Sequence, residues 1–392
     1  MVLKVGVSRQ FLSGRCLGQV RVVIFIQILD SFVGGVLGVA LPLMMKEKMD
    51  IATIGLVFAS LPMIFQFGRI LFATVSDFWG KKLFFVLNGF LGVAASVIYY
   101  LAYAPLEFVF GKVVEGTKDG SLWAVNRAFI LEKSEKKWAA LVHLRTAAYV
   151  AYAVGTLLAG FLIVRVFFEG TLMSCIMVDA FVFPAAFLLV GGKKRSFNMV
   201  KALHLLDFRK KGKVFKSFLV LFFVMGLSFG FRSGFVFPVF LSSNGFDPET
   251  VGVLIGLQIL LAGLFSYLFA RRFEIGKLLL VSGVLYSVTL VLLGFSSSVF
   301  AGVLVVVYGF AEGLVTISQE GILSSITSRG SYGTDIGLLM MGLHGGNTLS
   351  LALSGFLIEM CGFMAPFLMS GLIFVVFLCR FILHSKGVVY SR

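Results

Sequence analysis

The sequence predicts an all-α membrane protein of twelve transmembrane helices, arranged as two six-helix pseudo-repeats. Three observations predict it. Mean hydropathy is +1.00, with 59% hydrophobic and only 14% charged residues. Apolar stretches of crossing length recur along the whole chain, and a set of landmarks repeats at half its length. Such a composition leaves too little polar surface to clothe a soluble globule, so bilayer is the implied solvent.

A crossing needs about 20 apolar residues at 1.5 Å each. Residues 1–20 carry Lys4, Arg9 and Arg15 but no apolar core with a small-residue cleavage site. No removable signal peptide is expected, and the first helix, 21–45, serves as its own membrane signal. The second, 53–76, begins after Asp50 and runs into the basic pair Lys81 and Lys82, where the third, 82–103, starts. The fourth, 106–130, is apolar except for four charges, the fifth, 139–165, is rich in small residues, and the sixth is 171–191. A polar, basic segment at 193–214 separates this N-terminal unit, 1–192, from a C-terminal unit, 215–392. The remaining helices are expected at 215–241, 250–270, 277–295, 299–327, 334–358 and 363–384.

The net charge of +15 could point to nucleic acid, but Lys and Arg in so hydrophobic a chain serve first to orient it. With the N-terminus inside, about 25 basic residues fall in inner segments and only Lys46, Lys48 and Arg165 in outer loops. This asymmetry predicts a multi-pass protein of the cytoplasmic (inner) membrane with both termini and the central loop in the cytoplasm. Its surroundings are then membrane lipids, with no nucleic-acid partner. The four cysteines form no CxxC and the four histidines no HxxxH or HExxH, so no metal or other cofactor is expected. There is no GxxxxGK[ST] loop, and the central segment is too short to hold a nucleotide-binding domain.

The internal repeat has a shift near 196 residues. Pro42 answers Pro238; Asp50 and Gly55 answer Asp247 and Gly252; Gly80 and Lys81 answer Gly276 and Lys277. Glu115 and Gly116 answer Glu312 and Gly313, and Gly160 to Ile163 answer Gly355 to Ile358. Matches in preserved order mark two copies of one unit, and six crossings, being even, make both copies enter from the same side.

Between the second and third helices stand Ala73, Asp77, Gly80, Lys81 and Lys82. This run resembles the signature loop of the major facilitator superfamily: a small residue, three spacers, Asp, two spacers, Gly and a basic pair. Lys112, Glu115 and Gly116 in helix four resemble that family's Arg-x-x-x-Gly element, with Lys in place of Arg. Gly155, Ala159 and Gly160 in helix five resemble the glycine pattern of its exporters without the proline, and small residues there also permit close helix packing. The resemblance implies a monomeric secondary transporter, symporter or antiporter, whose helices one, four, seven and ten line a central cavity. It also implies an inner gate loop of Asp77, Gly80, Lys81 and Lys82, with Arg127 as the basic partner of Asp77.

Charge placement selects those four helices independently. A charge at a helix centre costs roughly 2.5 to 3.5 kcal/mol unless it meets partners or water. Helix four carries Lys112, Glu115, Lys118 and Asp119, helix one Asp30, helix seven Arg232, and helix ten Glu312 and Glu320. These eight are the expected substrate and proton cavity, whereas Arg69, Arg145 and Asp179 read as packing pairs or snorkelling residues. Spacing lets Lys118 pair with Glu115, and neither Asp30 nor Glu312 has a basic residue within a turn of its own helix. Unpaired carboxylates near the midplane are natural proton carriers, and Glu312 with Asp30 or Asp119 is the expected coupling set. The reading is a proton-coupled transporter of a small polar or charged solute, with no catalytic residues. A sensor or assembly protein on the same fold, or a membrane-embedded enzyme, stays open as an alternative.

Overall fold

The structure is a computed structural model and describes residues 4–133, 137–190, 211–269, 275–326 and 332–385. These residues contain no strand. The first set of helices is α1 (Lys4–Lys48), α2 (Ile51–Trp79), α3 (Lys81–Leu101), α4 (Pro105–Lys133) and α5 (Lys137–Phe187). The second is α6 (Lys213–Gly230), α7 (Val236–Ser243), α8 (Pro248–Phe269), α9 (Ile275–Gly294), α10 (Ser298–Ile326), α11 (Tyr332–Cys361) and α12 (Met364–Ser385).

Ten of these helices are long and apolar enough to cross a bilayer. One of them, α5, has an apolar run of 45 residues, His143–Phe187. At 1.5 Å per residue it would span roughly 68 Å, about twice one crossing. It divides at Phe167, whose φ of 58° and ψ of −177° are non-helical, and supplies the fifth and sixth crossings. Helix α4 is the remaining crossing, 29 residues long but too charged to pass as apolar. That makes twelve, with both ends of the described chain on one side of the slab, which we call the inner side.

The seventh crossing differs from the uninterrupted helix expected at 215–241. It breaks at 231–235 between α6 and α7. Two glycines bound the break: Gly230 backs directly onto Ser350 and Asn347 of α11, and Gly234 takes φ +63°, open to glycine at little cost. Unwound backbone at membrane depth is tolerated where it lines a cavity rather than lipid, and the break carries Arg232. Most of the 193–214 segment lies outside the described residues, and α6 begins slightly earlier than expected, at Lys213.

Two seams join the first six crossings to the last six. In one, α2 packs along α11, and in the other the first part of α5 packs along α8. At the outer end of the first seam Gly55 faces Gly355, where an added Cβ would come within 3.0 Å of backbone. In the second seam Gly252 faces Gly160 at the same 3.0 Å. All four are repeat landmarks, and they meet crosswise. Helix α5 also closes on α1 through Gly155, which abuts the Phe32 backbone, so the small residues of helix five serve close packing.

Candidate functional site

In the first six crossings the charged groups of α4 are distributed between two neighbours. Lys112 Nζ lies 2.7 Å from Glu115 Oε2, and the Tyr99 hydroxyl of α3 donates to the same oxygen at 2.5 Å. Lys112 also sits over the rings of Phe58 and Tyr99. Spacing had allowed Lys118 to pair with Glu115, yet Lys118 turns to α1 instead, its Nζ 2.9 Å from Asp30 Oδ1. Asn88 of α3 donates to that oxygen at 3.2 Å and to the Lys118 carbonyl at 3.3 Å. Asp30 is therefore paired. Asp119 stands 3.9 Å from Lys118 with 27% of its side chain accessible.

The last six crossings hold a second assembly. Arg232 Nη1, on the break between α6 and α7, donates to Glu312 Oε1 of α10 at 2.6 Å. Its Nε donates to the Tyr286 hydroxyl at 3.1 Å, and its guanidinium is walled by Phe229, Tyr308 and Tyr286. Gln258 of α8 donates to the other carboxylate oxygen of Glu312. The expectation that Glu312 lacks a cation holds only along its own helix. Repeat symmetry matched Glu312 to Glu115, and both carry a basic partner, Lys112 from the same helix in one case and Arg232 from another in the second.

At the inner end Glu320 of α10 accepts from Arg145 of α5 and, at 3.4 Å, from Arg127 of α4. The bridge crosses from the first set of helices to the second. Arg69 of α2 faces the same group. One turn earlier on α2, Gln66 Nε2 donates to the Gly337 carbonyl of α11 at 2.9 Å, a second inner link across the seam. At the outer end Ala52 N–H donates to Glu359 at 2.9 Å and Lys46 to Ser242 at 3.0 Å.

The gate loop is placed in part. Gly80 takes φ +86°, caps α2 through its N–H to Ser76 at 3.1 Å and starts α3 at once, which explains a glycine at this position. Lys81 is buried, and Lys82 donates to the Phe187 carbonyl at the end of α5 at 2.8 Å, a cation at a helix C-terminus. The Asp77 side chain lies outside the described residues. Arg127, expected opposite Asp77, is engaged by Glu320.

Several of these charged groups combine depth with access. Asp119, Glu320 and Arg145 lie well inside the fold, yet 27%, 29% and 34% of their side-chain surfaces remain reachable.

The sequence profile of the Major Facilitator Superfamily matches residues 23–318. The chain belongs to the major facilitator superfamily. As a major facilitator protein it is a multi-pass membrane transporter rather than an enzyme. The solved structures it resembles include a point mutant of the nucleoside transporter NupG, with TM-score 0.79 at 17% identity over 94% of this chain and 100% of the other. NupG itself matches with TM-score 0.76 at 17% identity over 94% and 99%. The human organic anion transporter MFSD10 (TETRAN) matches with TM-score 0.59 at 16% identity over 92% and 98%. A search of curated protein sequences found no significant match.

Within this major facilitator fold, Asn88, Ser96, Tyr99, Gln258 and Tyr286 join the buried polar clusters without having been singled out in the sequence, while Arg145, read there as a packing pair or snorkelling residue, is paired with Glu320. A signal existed for three of them. Asn88, Ser96 and Tyr99 lie at helical spacing on one face of an otherwise apolar α3, and buried polar side chains need partners. For Gln258 and Tyr286 the partners come from other helices, so local spacing carries no trace of them.

Proposed function

We propose that this protein is a proton-coupled secondary transporter that carries a small polar or charged solute across the cytoplasmic membrane by alternating access. The observation that carries this reading is the set of paired charges of both signs held on α1, α4, the α6–α7 break and α10, which we take to wall the solute cavity. Lys112, Lys118 and Arg232 stand against Asp30, Glu115, Asp119 and Glu312, and a wall of this kind favours a polar or zwitterionic solute over a hydrocarbon. The nucleoside and organic anion transporters that share the fold carry polar solutes, which supports the same class. Proton coupling is supported by the excess of carboxylates over lysines among the α1, α3 and α4 partners, with Asp119 the cavity-facing member.

Two further features support the mechanism. Links between the two sets of helices sit at both ends of the cavity, Glu320 with Arg127 and Arg145 on the inner side and Ala52 with Glu359 on the outer. Breaking one set while keeping the other exposes the cavity to one side at a time. The crosswise meeting of Gly55 with Gly355 and of Gly252 with Gly160 supports two six-helix halves, 1–192 and 215–392, related by a pseudo-two-fold axis. The basic inner segments support both termini in the cytoplasm.

The test is transport by the purified protein in liposomes with an imposed pH gradient, offered labelled nucleosides, organic anions and amino acids. The expected result is accumulation of one class above its equilibrium level, collapsed by a protonophore. Failure of every class to move, and of every class to drive proton flux, would overturn the reading.

A further inference from the structure

Asp179, on the second part of α5, was expected to be a packing or snorkelling residue, and the structure places it elsewhere. It is 1% exposed and points inward to α3. Its Oδ2 accepts from the Ser96 hydroxyl at 2.8 Å, while its Oδ1 has no hydrogen-bond partner. No cation lies within salt-bridge distance of it among the described residues. The carboxyl fills a notch left by Gly92, where an added Cβ would approach Oδ1 to 2.7 Å. The position is therefore built for this group, since any side chain at 92 would displace it.

An ionised carboxylate needs solvent, a cation or several donors, and Asp179 has one hydroxyl. The same face of α3 holds a second unpartnered acceptor, Asn88 Oδ1, one turn from Gly92. A buried acceptor without a donor is costly, and a carboxyl can relieve that cost by binding a proton where an amide oxygen cannot. The charged and titratable groups around Asp179 are Lys118 and Glu115 of α4, Asp30 of α1 and Cys175 of its own helix. Lys118 is committed to Asp30 at 2.9 Å, and Lys112 to Glu115 at 2.7 Å.

We infer that Asp179 is a proton-binding site outside the solute path, holding its proton on the unpartnered oxygen and sharing Lys118 with Asp30. The inference rests on the proton-coupled reading above and names the residue that stores the proton. In the arrangement seen here Lys118 is an ammonium, Asp30 a carboxylate and Asp179 a neutral acid, so the trio has no net charge. In the alternative arrangement the Asp179 O–H bond breaks, its electron pair stays on the carboxylate oxygen, its proton passes to Asp30, and Lys118 moves from Asp30 to the Asp179 oxygen. The trio is again neutral. Each state carries one proton, and neither leaves a lone charge buried. No cluster of metal-ligating residues is found among the described residues.

Infrared difference spectroscopy on the full-length protein in detergent tests this without any solute. The wild type at neutral pH should show a protonated-carboxyl C=O band that shifts in heavy water and is lost in Asp179→Asn, a near-isosteric change. Ser96→Ala should keep the band but shift it, since the hydroxyl that touches Oδ2 is gone. A wild type without the band, or a band unchanged in Asp179→Asn, would overturn the assignment. So would a band removed by sodium at constant pH, which would give the site to a metal cation. In liposomes, Asp179→Asn should lose pH-gradient-driven accumulation. A wild type that shows the band yet accumulates nothing would overturn the coupling reading while sustaining Asp179 as a protonated acid.

Discussion

Glu320→Gln is the change that should move the conformational equilibrium most directly. Glu320 joins α10 to α4 and α5 through Arg127 and Arg145, with between 27% and 34% of the three side chains accessible. That places the bridge between an exposed pair, contributing at most about 1 kcal/mol, and a fully buried one, whose disruption costs roughly 3 to 5 kcal/mol. A charge-assisted hydrogen bond in such a setting contributes about 2 kcal/mol, or roughly 30-fold in the ratio of inner-closed to inner-open states. Like-charge repulsion among Arg69, Arg127 and Arg145 acts in the same direction once the carboxylate is neutral. Distance measurements between nitroxide labels on the inner ends of α4 and α10 should show a growing long-distance population in Glu320→Gln. Arg145→Gln should do so to a smaller extent, since Arg127 still holds Glu320, and the double variant should be no more open than Glu320→Gln alone, which already lacks the carboxylate that Arg145 meets. Folded Glu320→Gln protein with the wild-type distance distribution would refute the latch.

Three other outcomes follow from the geometry. Asp50→Ala and Asp247→Ala each remove the N-cap of a crossing, α2 and α8, and should each cost about 1 kcal/mol in a denaturation midpoint. Both carboxyls lie outside the membrane and are held below the ordinary carboxylate range, Asp50 by the Thr53 N–H and hydroxyl and Asp247 by the Thr250 hydroxyl and N–H. A depressed folded pKa stabilises above the unfolded value and is lost as pH falls through the folded one, so each deficit should be constant above about pH 6 and shrink below about pH 4. Gly355→Val would set a Cβ 2.7 Å from the Ala52 Cα, wedging the outer end of α2 from α11 at a cost of about 1 to 3 kcal/mol. Hydrogen exchange at the Ala52 amide, now bonded to Glu359, should quicken, and unchanged protection would count against that seam. Glu312→Gln strips a buried arginine of its carboxylate and should lower stability by roughly 3 to 5 kcal/mol, with Arg232→Gln added to it restoring much of the loss. A double variant no more stable than the single would show that the pair is not the source.

How much of the site was legible depends on where each partner comes from. Lys112 with Glu115 is an i,i+3 pair on one helix, and spacing on α4 contains it. Lys118 had a plausible partner at the same spacing and took another, because α1 brings Asp30 against α4 and Asn88 of α3 secures it. Glu312 looked unpaired along α10, and its cation arrives from the α6–α7 break, which two glycines open. Asp179 looked like one of several scattered charges, and only the notch at Gly92 and the hydroxyl of Ser96 give it a setting.

The sequence by itself determined that the chain spans a membrane twelve times, which helices carry interior charge and where the four seam glycines lie. Those properties are sums over one segment at a time: apolar length, charge cost and the absence of a side chain. Only the tertiary structure decided which acid meets which base, that the seventh crossing is interrupted at Arg232, that Glu320 bridges the two sets of helices, and that Asp179 is enclosed without a cation among the described residues. Each of these is a distance between residues far apart in the chain. Such distances are set by how helices pack against one another, and local spacing along a helix does not encode them.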